Sequence, residues 1–155
     1  MNFFDVAKSI KIFHGMNPDQ LGKIKNLLEE YSFKTADWVV IEGQDATSMY
    51  MLRSGMVEVW KSFNGDKEGF CLGELKAGDC FGEMSLVDCQ SRSASVLAKT
   101  DLSVYCLSYG AVAQLYETDP RLFGLLVINI AREISRRLRR SDHTLVEFAL
   151  PPSFE

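Results

Sequence analysis

The chain has 155 residues, 46% of them hydrophobic and 25% charged, an ordinary globular balance with enough length for one domain and a sizeable core. A formal net charge of −4 argues against general nucleic-acid binding, because proteins that rest on phosphate backbones are usually basic overall. The two histidines, His14 and His143, stand at opposite ends of the chain, and Cys71, Cys80, Cys89 and Cys106 form no Cys-x-x-Cys pair. No metal site or cofactor is therefore expected, and the cysteines read as reduced core or edge thiols. The amino terminus lacks the pattern of a signal peptide, and the longest apolar run, 125–128, is far below the roughly 20 residues that span a bilayer. A cytoplasmic protein without a membrane span is the expectation.

In chain order, Phe3, Phe4, Val6, Ala7, Ile10, Ile12 and Phe13 recur at loosely helical spacing. Asn17-Pro18-Asp19-Gln20 then places an N-cap before a first-turn proline and opens a second helix through Leu21, Ile24, Leu27 and Leu28. From Tyr31 to Leu107 the period shortens to eight β-rich runs, the pattern of an antiparallel barrel or jelly roll. Strands are predicted near Tyr31–Thr35, Trp38–Ile41, Ser48–Arg53, Met56–Phe63, Glu68–Leu75, Cys80–Phe81, Ser93–Ala98 and Leu102–Leu107. Turn chemistry separates them at Glu42-Gly43-Gln44-Asp45, Ser54-Gly55, Asn64-Gly65-Asp66, Lys76-Ala77-Gly78-Asp79 and Lys99-Thr100-Asp101, with Asn64-Gly65 the strongest hairpin signal. Alternation within Met56–Trp60 sets Val57 and Val59 on one face and Glu58 on the other.

The stretch Gly78 to Ala98 reads as an anion site. Phe81 precedes Gly82, which permits close backbone approach, and Glu83-Met84-Ser85-Leu86 reads as one helical turn whose free N–H groups face an anion. Arg92 supplies a guanidinium able to grip two phosphate oxygens, with the hydroxyls of Ser93 and Ser95 beside it. A carboxylate would repel phosphate, so Glu83 suits a pair of sugar hydroxyls, and the set reads as a reader of ribose phosphate. The bland alternative is a surface loop in which Glu83 and Arg92 pair beside a turn.

Phe81-Gly82-Glu83-Met84-Ser85-Leu86 with Arg92-Ser93-Ala94-Ser95-Val96 closely resembles the phosphate-binding cassette of cyclic nucleotide-binding domains, the β-rolls of the catabolite activator protein and kinase regulatory subunit type. The resemblance extends over nearly the whole chain. It implies one mainly β domain over 1–155: amino-terminal helices to residue 30, an eight-stranded antiparallel jelly roll over 31–107 with its cassette at 81–95, and hinge and lid helices over 108–150. Gly43, Gly55 and Gly78 match the corners of such a roll, which bears on fold and not on activity.

After Leu107, Tyr109, Val112, Leu115 and Tyr116 mark a short helix stopped by Asp119-Pro120. A long helix follows, with Leu122, Leu126, Ile130, Ile134 and Leu138 recurring every four residues and helical character continuing through Leu145 and Phe148 to Pro151-Pro152. Arg132, Arg136, Arg137, Arg139 and Arg140 cluster on it. That run reads equally as a solvated face or as a surface for an acidic partner or lipid. The resemblance assigns the base to apolar residues of the roll and to the long helix as lid. Val59, Leu72 and Leu75 are the candidates from the roll, where each also reads as plain core; Ile134, Arg137 and Leu138 are those from the helix. Arg137 suits stacking on a purine or donating to its edge.

Ser93 can meet a phosphate oxygen or a guanine amino group, so cyclic AMP is the first expected ligand and cyclic GMP the second. Cyclic di-GMP fits less well, since the cassette shows no extra basic residue for a second phosphate. Fifteen residues follow Arg140, too few for the helix-turn-helix unit of transcription factors in this family; a stand-alone domain without direct DNA binding is expected. The sequence shows no nucleophile–base pair or paired catalytic carboxylates. The reading is a signal-transduction sensor, not an enzyme, whose output lies in an unknown downstream effector protein. The rivals are a ligand-independent interaction module that docks or homodimerises through the Arg-rich helix, with its stripe interrupted at Ser141-Asp142, and a transcriptional regulator acting through a partner.

Overall fold

The computed structural model describes residues 2–62 and 69–149, so Asn64-Gly65 and Pro151-Pro152 lie outside the described residues. The amino-terminal apolar run forms α1 (Phe3–Ala7), capped by the Asn2 side chain accepting from the Asp5 N–H, and a separate 3₁₀ turn at Lys11–Phe13. What divides them is contact with the roll. Gly78 adopts a left-handed φ of +93°, and a Cβ there would lie 2.6 Å from the Ser9 carbonyl oxygen. The two segments therefore touch backbone to backbone, and Ile10 is extended where they meet. Helix α2 (Pro18–Lys25) opens on a full capping box, in which the Asn17 side chain accepts from the Gln20 N–H and Gln20 accepts from the Asn17 N–H. It stops before Leu27 and Leu28, which the spacing had placed in the helix. Leu28 instead begins β1, paired with Leu107, and reaches the same core from a strand; ladder pairing overrides helical spacing here.

The strands are β1 (Leu28–Phe33), β2 (Trp38–Val40), β3 (Ser48–Ser54), β4 (Met56–Ser62), β5 (Gly69–Lys76), β6 (Cys80–Phe81), β7 (Ser95–Ala98) and β8 (Leu102–Ser108). They form two antiparallel sheets of four, ordered β1-β8-β3-β6 and β2-β7-β4-β5, and the fold is the jelly-roll β-roll that the sequence implied. Strand β7 begins two residues later than expected, because the backbone of Arg92 bonds to Gln44 O (2.8 Å) and Gly43 N (2.9 Å) outside the ladder. A bulge between β4 and β5 leaves Leu72 out of register.

The first sheet is the shared wall. Met49, Met51, Cys80, Tyr105 and Leu107 point to the helices, while their neighbours Leu52, Phe81, Leu102 and Val104 point into the roll with Val40, Val57, Val96 and Ala98. Between α3 (Glu83–Asp88) and the carboxyl terminus lie β7, β8, α4 (Tyr109–Thr118) and α5 (Pro120–Ala149). Ser108 caps α4, and Asp119 accepts from the Leu122 N–H at the start of α5. Leu122, Leu126, Ile130 and the polar Asn129 and Glu133 form the buried face of α5. The helix runs unbroken through Ser141-Asp142, whose polarity interrupts the apolar stripe only. No helix among the described residues is long and apolar enough to cross a membrane.

Two corner glycines differ in what surrounds them. Gly43 has φ +82° and open space, whereas Gly55 has φ +90° and a Cβ there would lie 2.4 Å from Asp101 O. Gly43→Ala is expected to cost about 1 kcal/mol of backbone strain, and Gly55→Ala about 3 kcal/mol of strain plus overlap. Urea midpoints at unchanged slope check this; equal losses would show that the close approach at Gly55 does not matter.

Candidate functional site

The cassette is built where β6 ends. Phe81 stacks on Tyr50, ring centroids 5.2 Å apart, and Gly82 turns the chain with φ 78° and ψ 6° into α3. A Cβ at Gly82 would lie 2.4 Å from Arg92 Nη1, so the glycine makes room for the guanidinium. Arg92 is only 7% exposed. Its Nη1 donates to Ser48 O at 2.8 Å, and the guanidinium carbon sits 5.7 Å from the centre of the Tyr50 ring. It forms no ion pair among the described residues. Burial pulls its pKa below the usual guanidinium range, yet arginine keeps its charge in proteins. A buried cation without a carboxylate is costly.

Glu83 does not pair with Arg92, which removes the surface-loop alternative. It is 3% exposed, and its Oε1 accepts from Arg137 Nη1 at 2.6 Å. Its Oε2 is buried without a hydrogen-bond partner among the described residues. Burial raises the Glu83 pKa, and the Arg137 charge works against that rise. Arg137 also donates to the Cys80 carbonyl and lies 3.3 Å from Glu133 Oε1, while Arg136 lies 2.7 Å from Glu133 Oε2. A row of alternating charge thus clamps α5 against the cassette.

These elements enclose a cavity of about 410 Å³. Phe81, Gly82, Glu83, Met84 and Ser85 line one side; Arg92, Ser93 and Ala94 line another; Val59, Leu72 and Leu75 form the apolar wall, and Arg137 closes the helix side. Of the residues singled out from sequence, Leu138 is 61% exposed and does not line the cavity, and Ile134 packs into the helical core. Helical geometry explains Leu138, which as the next residue after Arg137 points to another face, while Ile134 is drawn to the helical core. Ser95 is turned away and accepts from the Glu42 N–H at 2.8 Å. Ser85 is buried, 3.5 Å from Ser91 O, and Ser93 Oγ is 3.9 Å from the Met84 sulfur.

The sequence reading missed Val40, Val96, Ser141 and above all Lys61, which also line the cavity. Lys61 Nζ donates to Ser93 O and to Glu42 Oε1, both at 2.6 Å. Glu42 accepts further from the Ser62 N–H (2.8 Å) and hydroxyl (3.0 Å). The Lys61 bond and these contacts hold its carboxyl at about 2. A second cation therefore borders the cavity from β4, although the cassette itself, residues 81–95, holds no basic residue besides Arg92. Alternation carried the signal, because Lys61 stands two residues beyond Val59 on the same strand.

Residues 30–119 match the family model described as "Cyclic nucleotide-binding domain". Human cGMP-dependent protein kinase 2 is 29% identical over 135 residues, 84% of this chain but 18% of the kinase, so the chain spans less than a fifth of that relative. Among solved structures, a cyclic nucleotide-binding domain from Methylobacillus flagellatus superposes with a TM-score of 0.86 at 23% identity, covering 98% of this chain and 85% of that one. Thermus thermophilus catabolite activator protein gives 0.77 at 27% identity, with 90% and 63% covered. The regulatory domain of Toxoplasma gondii PKA, crystallised with cAMP, gives 0.73 at 25%, with 86% and 49% covered. With a matching family model over more than half its length, a β-roll of the same architecture and the cassette residues gathered around one cavity, the chain belongs to the cyclic nucleotide-binding domain family.

Proposed function

We propose that the chain is a regulatory module that binds a cyclic purine nucleotide and reports its presence through α5. The observation that carries this reading is Arg92, a buried guanidinium without a carboxylate partner among the described residues, at the wall of a cavity of about 410 Å³. A cyclic phosphate supplies the missing charge. The Glu83 Oε2 acceptor, buried and without a donor, suits the ribose 2′-hydroxyl while Oε1 keeps Arg137. Val59, Leu72 and Leu75 offer the base an apolar wall. Cyclic AMP is the first choice and cyclic GMP the second, for Ser93 serves either. The relatives divide likewise, one named for cGMP and one crystallised with cAMP. Lys61 is already held by Glu42 and Ser93 O, which keeps a single phosphate the better fit.

Arg137 gives the ligand a route to α5. A ribose hydroxyl donating to Oε2 draws charge from the carboxylate that holds Arg137 through Oε1 and so loosens the anchor, and occupancy shifts the helix population by as much as the two states differ in affinity. The output is read by an unidentified effector protein, and the family's typical role is regulatory rather than catalytic. A second reading, homodimerisation along α5, is favoured by the exposure of Leu138, Leu145 and Phe148 on its outer half.

Isothermal titration with cyclic AMP and cyclic GMP, with AMP as the linear control, is expected to show saturable binding of a cyclic nucleotide. Arg92→Ala should weaken it roughly ten- to a hundred-fold, the worth of one charge-assisted contact of about 1.5–3 kcal/mol. The lost bond to Ser48 O costs about 1 kcal/mol, offset by relief of an unpaired buried charge, so stability should change little. No binding by wild type would sink the reading.

Arg137→Ala strands the buried Glu83 carboxylate and should cost about 3 kcal/mol at neutral pH. The Glu83 pKa, already raised by burial, rises further without its partner. A raised folded-state carboxylate pKa contributes stability below the unfolded value that is lost as pH rises through the folded one. The gap in urea midpoint between Arg137→Ala and wild type should therefore narrow as pH falls toward 5, and Glu83→Gln in the same chain should recover part of it. A gap independent of pH would mean that the pair does not hold α5.

A further inference from the structure

A second polar cavity, of about 360 Å³, lies on another face of α5. Lys11 and His14 of the amino-terminal turn line it on one side, and Asn129, Arg132, Ser135 and Arg136 of α5 on the other. None of these six residues is acidic. Lys11 is paired with Asp79 at 2.6 Å and Arg136 with Glu133 at 2.7 Å, but neither carboxylate lines the cavity. Arg132 has no carboxylate partner among the described residues.

The floor is built rather than incidental. Asn129 is 4% exposed, and its Nδ2 donates to Ile12 O at 3.0 Å and His14 O at 2.8 Å. That fixes its Oδ1 toward the cavity side, where it accepts from Arg132 Nη1 at 3.3 Å. One buried amide therefore ties the amino-terminal turn to α5 and sets the Arg132 guanidinium in place. The cations and the serine hydroxyl offer donors to an acceptor-rich guest, and a guanidinium's fork matches phosphate oxygens. A volume of about 360 Å³ suits a small molecule rather than an extended polymer.

We propose that this cavity is a second, regulatory anion site for a small phosphate-bearing molecule. It communicates with the first cavity through the charge row on α5. An anion that takes Arg136 from Glu133 leaves that carboxylate to Arg137, which it competes for with Glu83; Glu83 is then freer for the ribose. The coupling rests on the proposed nucleotide reading of the first cavity, whereas the site itself does not. Linkage makes the effect reciprocal, so each ligand raises affinity for the other by the same factor.

The test is calorimetric titration of the full chain with inorganic diphosphate at constant ionic strength, with chloride as the screening control. Saturable binding is expected, retained in Arg92→Ala and weakened about ten-fold or more in Arg132→Gln. Arg132→Gln/His14→Gln repeats the measurement at two exposed positions away from the clamp. Absence of saturable binding, or binding lost in Arg92→Ala but kept in Arg132→Gln, would overturn the site, the latter by placing diphosphate in the cassette. Saturating diphosphate is expected to tighten cyclic-nucleotide binding in wild type and to leave it unchanged in Arg132→Gln. Diphosphate binding with no change in nucleotide affinity would overturn the regulatory role. A chain that binds diphosphate but no cyclic nucleotide would instead show that the reading of the cassette has failed.

Discussion

A guanidinium enclosed by protein without a carboxylate beside it is a standing cost that the neighbouring architecture must tolerate. Around Arg92 that tolerance is visible in each contact. Gly82 gives up its side chain to leave room, Ser48 lends a carbonyl, and the Tyr50 ring, stacked on Phe81, lies beneath the cation. The backbone of Arg92 is pinned to the Gly43–Gln44 corner, which fixes where the side chain starts. The cavity beside it is lined by the same cassette residues.

The same logic, with sign reversed, governs the helix. Glu83 and Glu133 are both deeply buried, and Arg137 stands between them while Arg136 takes the outer oxygen. Neither carboxylate would be affordable alone in that setting. The arrangement makes α5 dependent on a residue of the cassette, and it makes Glu83 responsive to whatever else asks for its oxygens. The buried Asn129 ties the amino-terminal turn to the same helix from another side, so α5 is the element on which the cassette cavity, the basic cavity and the amino-terminal turn converge.

Much of this was legible from residue order. Gly82-Glu83 and Arg92-Ser93 identified the cassette and its family, and period-two runs between turn residues predicted eight strands of a jelly roll. Asn17-Pro18 marked the start of α2 to the residue. Leu27 and Leu28 misled because apolar spacing is the same for the end of a helix and the start of a strand that faces one core. Leu138 misled because a four-residue stripe names a helix face without saying which face meets the cassette; Leu138 points to solvent although Ser141, farther along α5, still lines the cavity.

The sequence by itself determined the local chemistry: where glycine must bend the chain, which segments alternate, and which residue types can meet a ribose phosphate. These depend on bonding within a few residues. Only the tertiary structure decided which charges face one another. That Glu83 meets Arg137 across 54 positions, that Lys61 reaches the carbonyl of Ser93, and that Arg92 is left without a carboxylate all follow from how two sheets and one long helix close together. Charge pairing is set by distance in space and by burial, and neither is written in the spacing of residues along the chain.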